Sequence, residues 1–430
     1  MKDPGKLLEW VRDARRRTLE LIADLSEEQM LGPRLDIINP LLWEIGHVAW
    51  FQEKWVLRHA GKQPPIRTDA DNLYDSAGVP HDVRWNLPLS SRAETLRYMQ
   101  AVEDRVLERL QMPTLSQEDI YFVLLSVFHE DMHGEAFTYL RQTLGYPAPS
   151  ISGRFAKSAP GGPLPGDVFI PGSVFLLGAS PQEPFVFDNE KWEHPVETQP
   201  FAIARAPVTQ AEFVAFVEDG GYQIREWWSN KGWTWREQTG AHGPVYWKKD
   251  QGKWWRRDFD RWVGLEPHLP LIHVCWYEAD AYCKWANRRL PTEVEWELAA
   301  AAEPQSKGIA PRKRRFPWGD SPPNSYQANL DGRALGCVDV GCFPEGESKF
   351  GCRQMIGNVW EWTASDFLPY PGFVIDPYQE YSAPWFKNHK VLRGGCWVSR
   401  GRLLRNTWRN FYKPERRDVW AGFRTCALEV

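Results

Sequence analysis

The chain is 430 residues long, 25% charged, with a formal net charge of −4 at neutral pH. That length suggests two to three domains, each with enough chain for a core, and the near-balanced charge leaves no footprint for nucleic acid. The charged, amphipathic stretch from Met1 to Glu20 holds no leader-like apolar segment, and no run approaches the roughly 18 apolar residues of a membrane span. A cytoplasmic protein without membrane attachment or an obligate protein partner is expected.

Seven cysteines, an odd number with no Cys-x-x-Cys, argue against a disulfide framework or a structural zinc site. Tryptophan is the compositional outlier. Nineteen of the 24 copies fall after residue 190, so the two ends of the chain differ in chemistry and a domain split is expected.

Four amphipathic helices are expected before residue 145. The first covers about 5–24, with Leu7, Leu8, Val11, Ala14, Leu21 and Ile22 inward. The second is expected to open with Asn39 as cap and Pro40 at the first helical position, and to run to about Arg58. Trp43, His47, Trp50 and Phe51 share one face of it. A long connection over 61–90 comes next, rich in Pro, Asp and Asn and carrying His81, Arg84 and Trp85; such length marks a functional or disordered loop. The third helix opens at Ser91, which forms a capping box with Glu94, and ends near Gln111.

The fourth, about 116–144, contains the run Phe-His-Glu-Asp-Met-His-Gly-Glu (128–135). His129 and His133 are four residues apart, on one helix face, a spacing that lets two imidazoles hold one metal ion. Phe122, Leu125, Met132, Ala136, Phe137 and Leu140 place both on the inward stripe. A buried imidazole must be hydrogen-bonded or metal-bound. A pair of satisfied core histidines is the plain alternative. His47 from the second helix changes the balance, because three imidazoles from two helices make a facial site with open positions, and open positions mean catalysis. Gly46 beside it permits close approach of a neighbouring segment.

Residues 146–167, rich in Pro, Gly and Ser, read as a linker. Strand-like runs come after it at Val168–Ile170 and Ser173–Leu177. Thr209 with Glu212 caps a helix over Gln210–Glu218, a further helix spans Trp276–Asn287, and Thr292 with Glu295 caps Glu293–Ala302. The basic run Arg312-Lys313-Arg314-Arg315 is expected in a solvated loop. The remainder is largely loop, with tryptophans as core filler.

Six ordered motifs then carry a resemblance. Ile-Pro-Gly-Ser-Val-Phe-Leu-Leu-Gly (170–178), Pro-Val-Thr-Gln-Ala-Glu-Phe (207–213), Arg-Leu-Pro-Thr-Glu-Val-Glu-Trp-Glu (289–297), Gly-Asn-Val-Trp-Glu-Trp (357–362), Arg-Gly-Gly-Cys-Trp (393–397) and Ala-Gly-Phe-Arg (421–424) make the segment after residue 168 resemble the formylglycine-generating-enzyme, or sulfatase-modifying-factor, domain. Residues 1–145 resemble a DinB-like four-helix bundle. The implied fold class is multidomain, an α bundle followed by a C-type-lectin-like α+β domain over 168–430 that completes the active site. This fusion resembles the ergothioneine sulfoxide synthases and the related selenoneine synthases.

By the resemblance, His47, His129 and His133 bind mononuclear nonheme Fe(II), with O2 as cosubstrate and hercynine (Nα-trimethylhistidine) plus a thiol or selenol as small-molecule substrates. Tyr370, in Leu-Pro-Tyr-Pro-Gly-Phe (368–373), matches the motif that supplies the acid for dioxygen; a phenol stays protonated at neutral pH. A turn tyrosine between prolines is its structural alternative. Within Arg-Asn-Phe-Tyr-Lys-Pro-Glu-Arg-Arg (409–417), the resemblance assigns Asn410 and Phe411 to hercynine and Arg416 to the second substrate.

Departures from the pattern bear on that second substrate. The 74–88 segment holds one arginine, Arg84, where synthases using γ-glutamylcysteine are rich in Arg and Pro. Tyr412 replaces an acid, and Met132 replaces a polar residue; with Arg84 they are expected among the substrate contacts. Fewer charge partners suit a neutral selenosugar better than a charged peptide, since an unmatched buried charge is costly. The run Gly-His-Val-Ala-Trp-Phe-Gln-Glu (46–53) is also closer to selenoneine synthases. Sulfur from cysteine or γ-glutamylcysteine stays open.

Three other readings compete. His129-Glu130-x-x-His133 satisfies the zinc-peptidase pattern with Glu130 as base, but lacks the extended Gly-x-x-His continuation. Formylglycine generation needs a reactive cysteine pair, and only Cys396 and Cys426 lie near the C-terminus. A non-catalytic binding module would be expected to lose the metal histidines.

Overall fold

In the computed structural model of the protein, residues 3–154, 160–306 and 308–429 are described. The chain divides into two units, Met1–Ser152 and Gly153–Val430. The division falls inside the expected linker, of which residues 155–159 lie outside the described part, as do the outermost residues of both expected domains.

The first unit is helical. α1 (Pro4–Ile22) starts where Asp3 accepts the Gly5 N–H, and buries Leu7, Val11, Ala14, Leu21 and Ile22. A short α2 (Glu27–Leu31) opens on a Ser26/Gln29 capping box that the sequence reading missed. α3 (Leu41–Gln52) continues into a π-helical stretch over Glu53–Ala60 that ends at Gly61. Asn39 does not cap α3. Pro40 holds the cap position without a side-chain bond, and the Asn39 amide donates instead to Glu44 Oε1 at 2.6 Å.

The 61–90 connection is ordered, with α4 (Ala70–Tyr74) and a 3₁₀ turn at His81–Val83. α5 (Arg92–Leu110) has the expected Ser91/Glu94 box. α6 (Gln117–Leu144) has a Ser116/Asp119 box and ends on Gly145, whose φ of +66° suits a left-handed glycine cap. α1, α3, α5 and α6 pack as a bundle. α3 is buried on every side, which departs from the expected amphipathic stripe: eleven of its twelve residues are buried, consistent with a helix apolar all round.

The second unit is an irregular α+β fold. In chain order it holds β1 (Asp167–Ile170), β2 (Ser173–Leu177), β3 (His194–Thr198), β4 (Phe201–Ala204), α7 (Gln210–Glu218), α8 (Asn230–Thr239), β5 (Trp247–Asp250), β6 (Lys253–Asp258) and β7 (Arg261–Gly264). Then come α9 (Trp276–Trp285), β8 (Arg288–Arg289), α10 (Glu293–Ala301), β9 (Trp360–Asp366), β10 (Lys390–Arg393), β11 (Asn410–Tyr412), β12 (Ala421–Gly422) and β13 (Cys426–Ala427). One sheet has the order β1-β4-β13-β8 and another β11-β10-β9-β12; β2-β3 and β5-β6-β7 form separate antiparallel ribbons. The expected caps Thr209 and Thr292 both form, each paired with its glutamate.

Long stretches without regular structure are held by buried arginine–carboxylate pairs as well as by tryptophans. Arg424 grips both oxygens of Glu361 at 2.6 and 2.7 Å, and Trp296 Nε1 donates to the same carboxylate at 2.8 Å. Arg393 pairs with Glu297 and Arg405 with Glu190, all four buried. Such pairs, forked at Arg424 and Arg405, fix irregular backbone that no ladder of main-chain bonds would hold.

The basic run 312–315 departs from its expected solvated state. Lys313 pairs with Glu297 at 2.8 Å, Arg314 with Glu303 at 2.5 Å and Arg315 with Glu183 at 3.4 Å; of the four, Arg312 is the one left largely exposed.

Candidate metal centre

His47 on α3 and His129 and His133 on α6 converge in the first unit. One ring nitrogen of each lies within 4.8 Å of the others, and the His129 and His133 Nε2 atoms are 3.2 Å apart. The i, i+4 spacing stacks the α6 pair along one face. His129 lies flat on Phe51, ring centres 3.6 Å apart, and His47 lies flat on Trp43 at 4.7 Å.

Two of the rings are oriented from behind. His47 Nδ1 is 2.7 Å from the Tyr74 carbonyl, which can only accept, so Nδ1 carries the proton and Nε2 is left with a lone pair. His133 Nδ1 is 2.5 Å from Glu44 Oε2, the carboxylate–histidine arrangement that fixes a ligand's tautomer and raises its basicity. Burial, with His133 nearby, pushes the pKa of His47 down to about 3; burial, then His133 and His47, push His129 well below its ordinary value. Both imidazoles are thus neutral at physiological pH, the state a ligand needs. Burial alone would raise Glu44, but the His133 ring and its hydrogen bond, with His47 and Asn39, outweigh it and hold the carboxyl at about 2. Three converging ring nitrogens, two of them on buried imidazoles held neutral, suit one transition-metal ion.

The sequence reading missed Glu44 and Tyr74. The signal for Glu44 was a lone carboxylate one turn before His47 on an apolar helix. Nothing local could have identified the Tyr74 carbonyl.

Glu130 is turned away from the histidines. It accepts from Arg15 Nε at 2.9 Å and Thr18 Oγ1 at 2.8 Å on α1, in a fully buried pair. A carboxylate so engaged does not serve as a peptidase base, which removes the His-Glu-x-x-His reading. Cys396 and Cys426 are both fully buried, with Cys396 Sγ on Ser399 at 3.4 Å, so neither is presented as a reactive thiol.

Met132 is half-buried on α6 between His129 and His133. Arg84 is buried with its donors directed to Val79 O, Ser76 O and Asn39 Oδ1 at 3.0, 3.3 and 2.8 Å, and its plane lies 3.9 Å over Trp43.

The other expected site residues lie in the second unit. Tyr370 is 7% exposed; its hydroxyl is 3.2 Å from Glu293 Oε1, and Arg409 covers its ring at 4.0 Å. Burial drives its pKa well above 10 against the pull of Arg409. Asn410, Phe411 and Tyr412 form β11. Asn410 Oδ1 accepts the Phe411 N–H, Phe411 stacks on Phe367 at 4.1 Å, and Arg416 lies over Tyr412 while pairing with Asp418 at 2.6 Å. Arg409, which the sequence reading did not single out, bridges the group: it bonds Glu293 at 2.6 and 3.0 Å and covers both Tyr370 and Phe367.

Among known families, the sulfatase-modifying factor enzyme 1-like domain matches residues 153–428 and the DinB superfamily matches 11–136. A hercynine oxygenase of Mycolicibacterium thermoresistibile is 38% identical, over 96% of this chain and 92% of its own. The Mycobacterium tuberculosis hercynine oxygenase is 36% identical over 99% of both chains. A formylglycine-generating enzyme of Streptomyces coelicolor is 29% identical over 66% of this chain and 96% of its own. With both domains matched and full-length relatives at this identity, the chain belongs to the hercynine oxygenase family, ergothioneine-sulfoxide-synthase-like proteins that join a DinB helical domain to a C-type-lectin-like sulfatase-modifying-factor domain.

Proposed function

We propose that the protein is an O2-dependent oxygenase that joins selenium from a selenosugar to the imidazole carbon of hercynine, with mononuclear nonheme Fe(II) held by His47, His129 and His133. The observation that carries this reading is the convergence of three imidazoles, two held neutral, in a chain that spans the length of proteins named hercynine oxygenase. When bound, the iron supplies the redox centre at which dioxygen becomes a usable oxidant. The imidazole C–H and the selenol Se–H bonds break, a carbon–selenium bond forms with the sugar still on selenium, and dioxygen takes the two hydrogens and the electrons, leaving one oxygen as water and the other on selenium.

Two arginines support a neutral donor. Arg84 spends its donors on backbone carbonyls and Asn39, and Arg416 is paired with Asp418. Neither offers an uncommitted guanidinium to a peptide carboxylate, and a buried carboxylate without one is costly. A hydroxyl-rich sugar needs neither. Asn410, Phe411, Tyr412 and Met132 are the proposed substrate contacts, and Tyr370 the proposed proton donor. Its raised pKa keeps the phenol protonated, and Glu293 with Arg409 fixes its orientation. Transfer of sulfur from cysteine or γ-glutamylcysteine is the second reading, favoured by the identity to hercynine oxygenases.

The test loads the anaerobic protein with Fe(II), adds hercynine and oxygen, and offers a selenosugar, cysteine and γ-glutamylcysteine in competition, with mass-spectrometric detection and His133→Ala as control. A dominant hercynine–selenium adduct, absent in the variant, supports the proposal. A dominant sulfoxide keeps the family chemistry and replaces the donor. No adduct from iron-loaded protein overturns the reaction.

A further inference from the structure

Arg84 lies where two supporting arms of the histidine cluster meet. The first arm runs through side chains: Arg84 donates to Asn39 Oδ1 at 2.8 Å, the Asn39 amide donates to Glu44 Oε1 at 2.6 Å, and Glu44 Oε2 receives His133 Nδ1 at 2.5 Å. The second runs through an aromatic face and a loop. The guanidinium covers Trp43 at 3.9 Å, Trp43 stacks on His47 at 4.7 Å, and Trp43 Nε1 donates to Leu73 O at 2.7 Å, beside the Tyr74 carbonyl that orients His47. Arg84 also bonds Ser76 O and Val79 O, holding the turn after Tyr74.

The chemistry of the first arm is directional. Asn39 is a neutral amide between a buried cation and a buried anion. Its oxygen must face the guanidinium and its NH2 the carboxylate, so the charges at the two ends set its orientation. With Oε1 occupied by Asn39, Glu44 presents Oε2 to His133. Arg84 itself is 8% exposed and has no carboxylate in direct contact among the described residues, an expensive placement that a loop-fastening role alone would not require, since a neutral donor could bond the same carbonyls.

We infer that Arg84 is a positioning residue for the metal centre, acting through Asn39 and Glu44 on His133 and through Trp43 and the 73–79 turn on His47. The inference rests on reading the three histidines as metal ligands and is independent of which reaction the metal serves. It assigns the lone arginine of this segment to the metal's outer shell, apart from any grip on substrate.

The test measures Co(II) and Fe(II) affinity of the full chain by competition with a chromophoric chelator, alongside the Co(II) visible spectrum. Arg84→Met, which keeps length and loses charge and donors, is expected to weaken metal binding about 10- to 100-fold and to alter the Co(II) bands while the protein remains folded. Asn39→Ala, which cuts the first arm alone, is expected to lose less, and the double variant to be little worse than Arg84→Met, because Asn39 lies within a chain of contacts that Arg84→Met already cuts. Arg84→Lys, with charge and donors but no planar fork, should recover part of the loss. If Arg84→Met does not fold, Asn39→Ala carries the same criteria. A folded variant with parental affinity and spectrum, or fully additive losses in the double variant, overturns the inference. Parental protein that binds metal but forms no hercynine adduct overturns the proposed reaction and leaves this role standing. A parental protein that binds no metal overturns both.

Discussion

Tyr74 lies directly against Gly46, and that contact sets the position of the carbonyl that orients His47. A Cβ at position 46 would sit 2.8 Å from the Tyr74 hydroxyl oxygen and closer still to two carbons of the ring. The absence of a side chain on α3 therefore lets α4 approach until Tyr74 O reaches His47 Nδ1.

Gly46→Ala tests this relationship. In an unencumbered helix the change would stabilise by about 1 kcal/mol. With Tyr74 in the way, overpacking costs about 1–3 kcal/mol, so a net loss is expected, together with weaker metal binding as the Tyr74 carbonyl moves. Urea unfolding of the metal-free protein and chelator competition measure both. A variant more stable than its parent with unchanged metal affinity would show that α4 can move away without consequence.

Glu130→Gln separates the two glutamates near the histidine cluster. Glu130 is buried against Arg15 and Thr18, and neutralising it leaves the Arg15 charge unmatched, for an expected loss of roughly 3–5 kcal/mol. Metal affinity should hold wherever the protein is folded, because Glu130 does not orient a ligand. Loss of metal binding in folded Glu130→Gln would contradict this.

Acid should unfold the metal-free protein in two windows. His47 and His273 have folded pKa values of about 3, and His129 one well below 6.5, chiefly from burial. Below about pH 6.5 the unfolded chain takes protons that these rings refuse when folded. Stability is thus complete above that pH and falls by on the order of 1.4 kcal/mol per pH unit for each histidine. Glu44, held at about 2, adds a further loss as pH falls from about 4.5 toward 2. Urea midpoints at pH 7.5, 6.5 and 5.5 read the first window; equal midpoints would refute it.

Tyr370→Phe removes one hydroxyl and keeps the ring. Glu293 retains Arg409, so the expected cost in stability is about 1 kcal/mol. Loss of the proposed proton donor should slow adduct formation by about 100-fold or more. Thermal denaturation and adduct yield distinguish the roles: a small stability loss with undiminished yield would leave Tyr370 a core phenol only.

The chain by itself determined the features that arise from local spacing. Ser91/Glu94, Thr209/Glu212 and Thr292/Glu295 start helices because a hydroxyl and a carboxylate three residues apart satisfy free N–H groups within one turn. His129 and His133 share a face because of helical periodicity, and His47 was legible from the aromatic face it shares. Ordered family motifs revealed the sulfatase-modifying-factor domain, and the amphipathic helices with their three histidines the DinB-like one.

Tertiary structure alone decided which groups stand behind those histidines. Glu44 and His133 are 89 residues apart, Arg84 and Asn39 45, and Tyr74 and His47 27, and no periodicity couples residues at such separations. It turned Asn39 from a helix cap into a bridge, turned Glu130 toward Arg15, and drew the 312–315 run into ion pairs. The physical reason is common to all of these. A polar side chain's role is set by the partner that satisfies it once water is excluded, and that partner is chosen when the helices and loops pack.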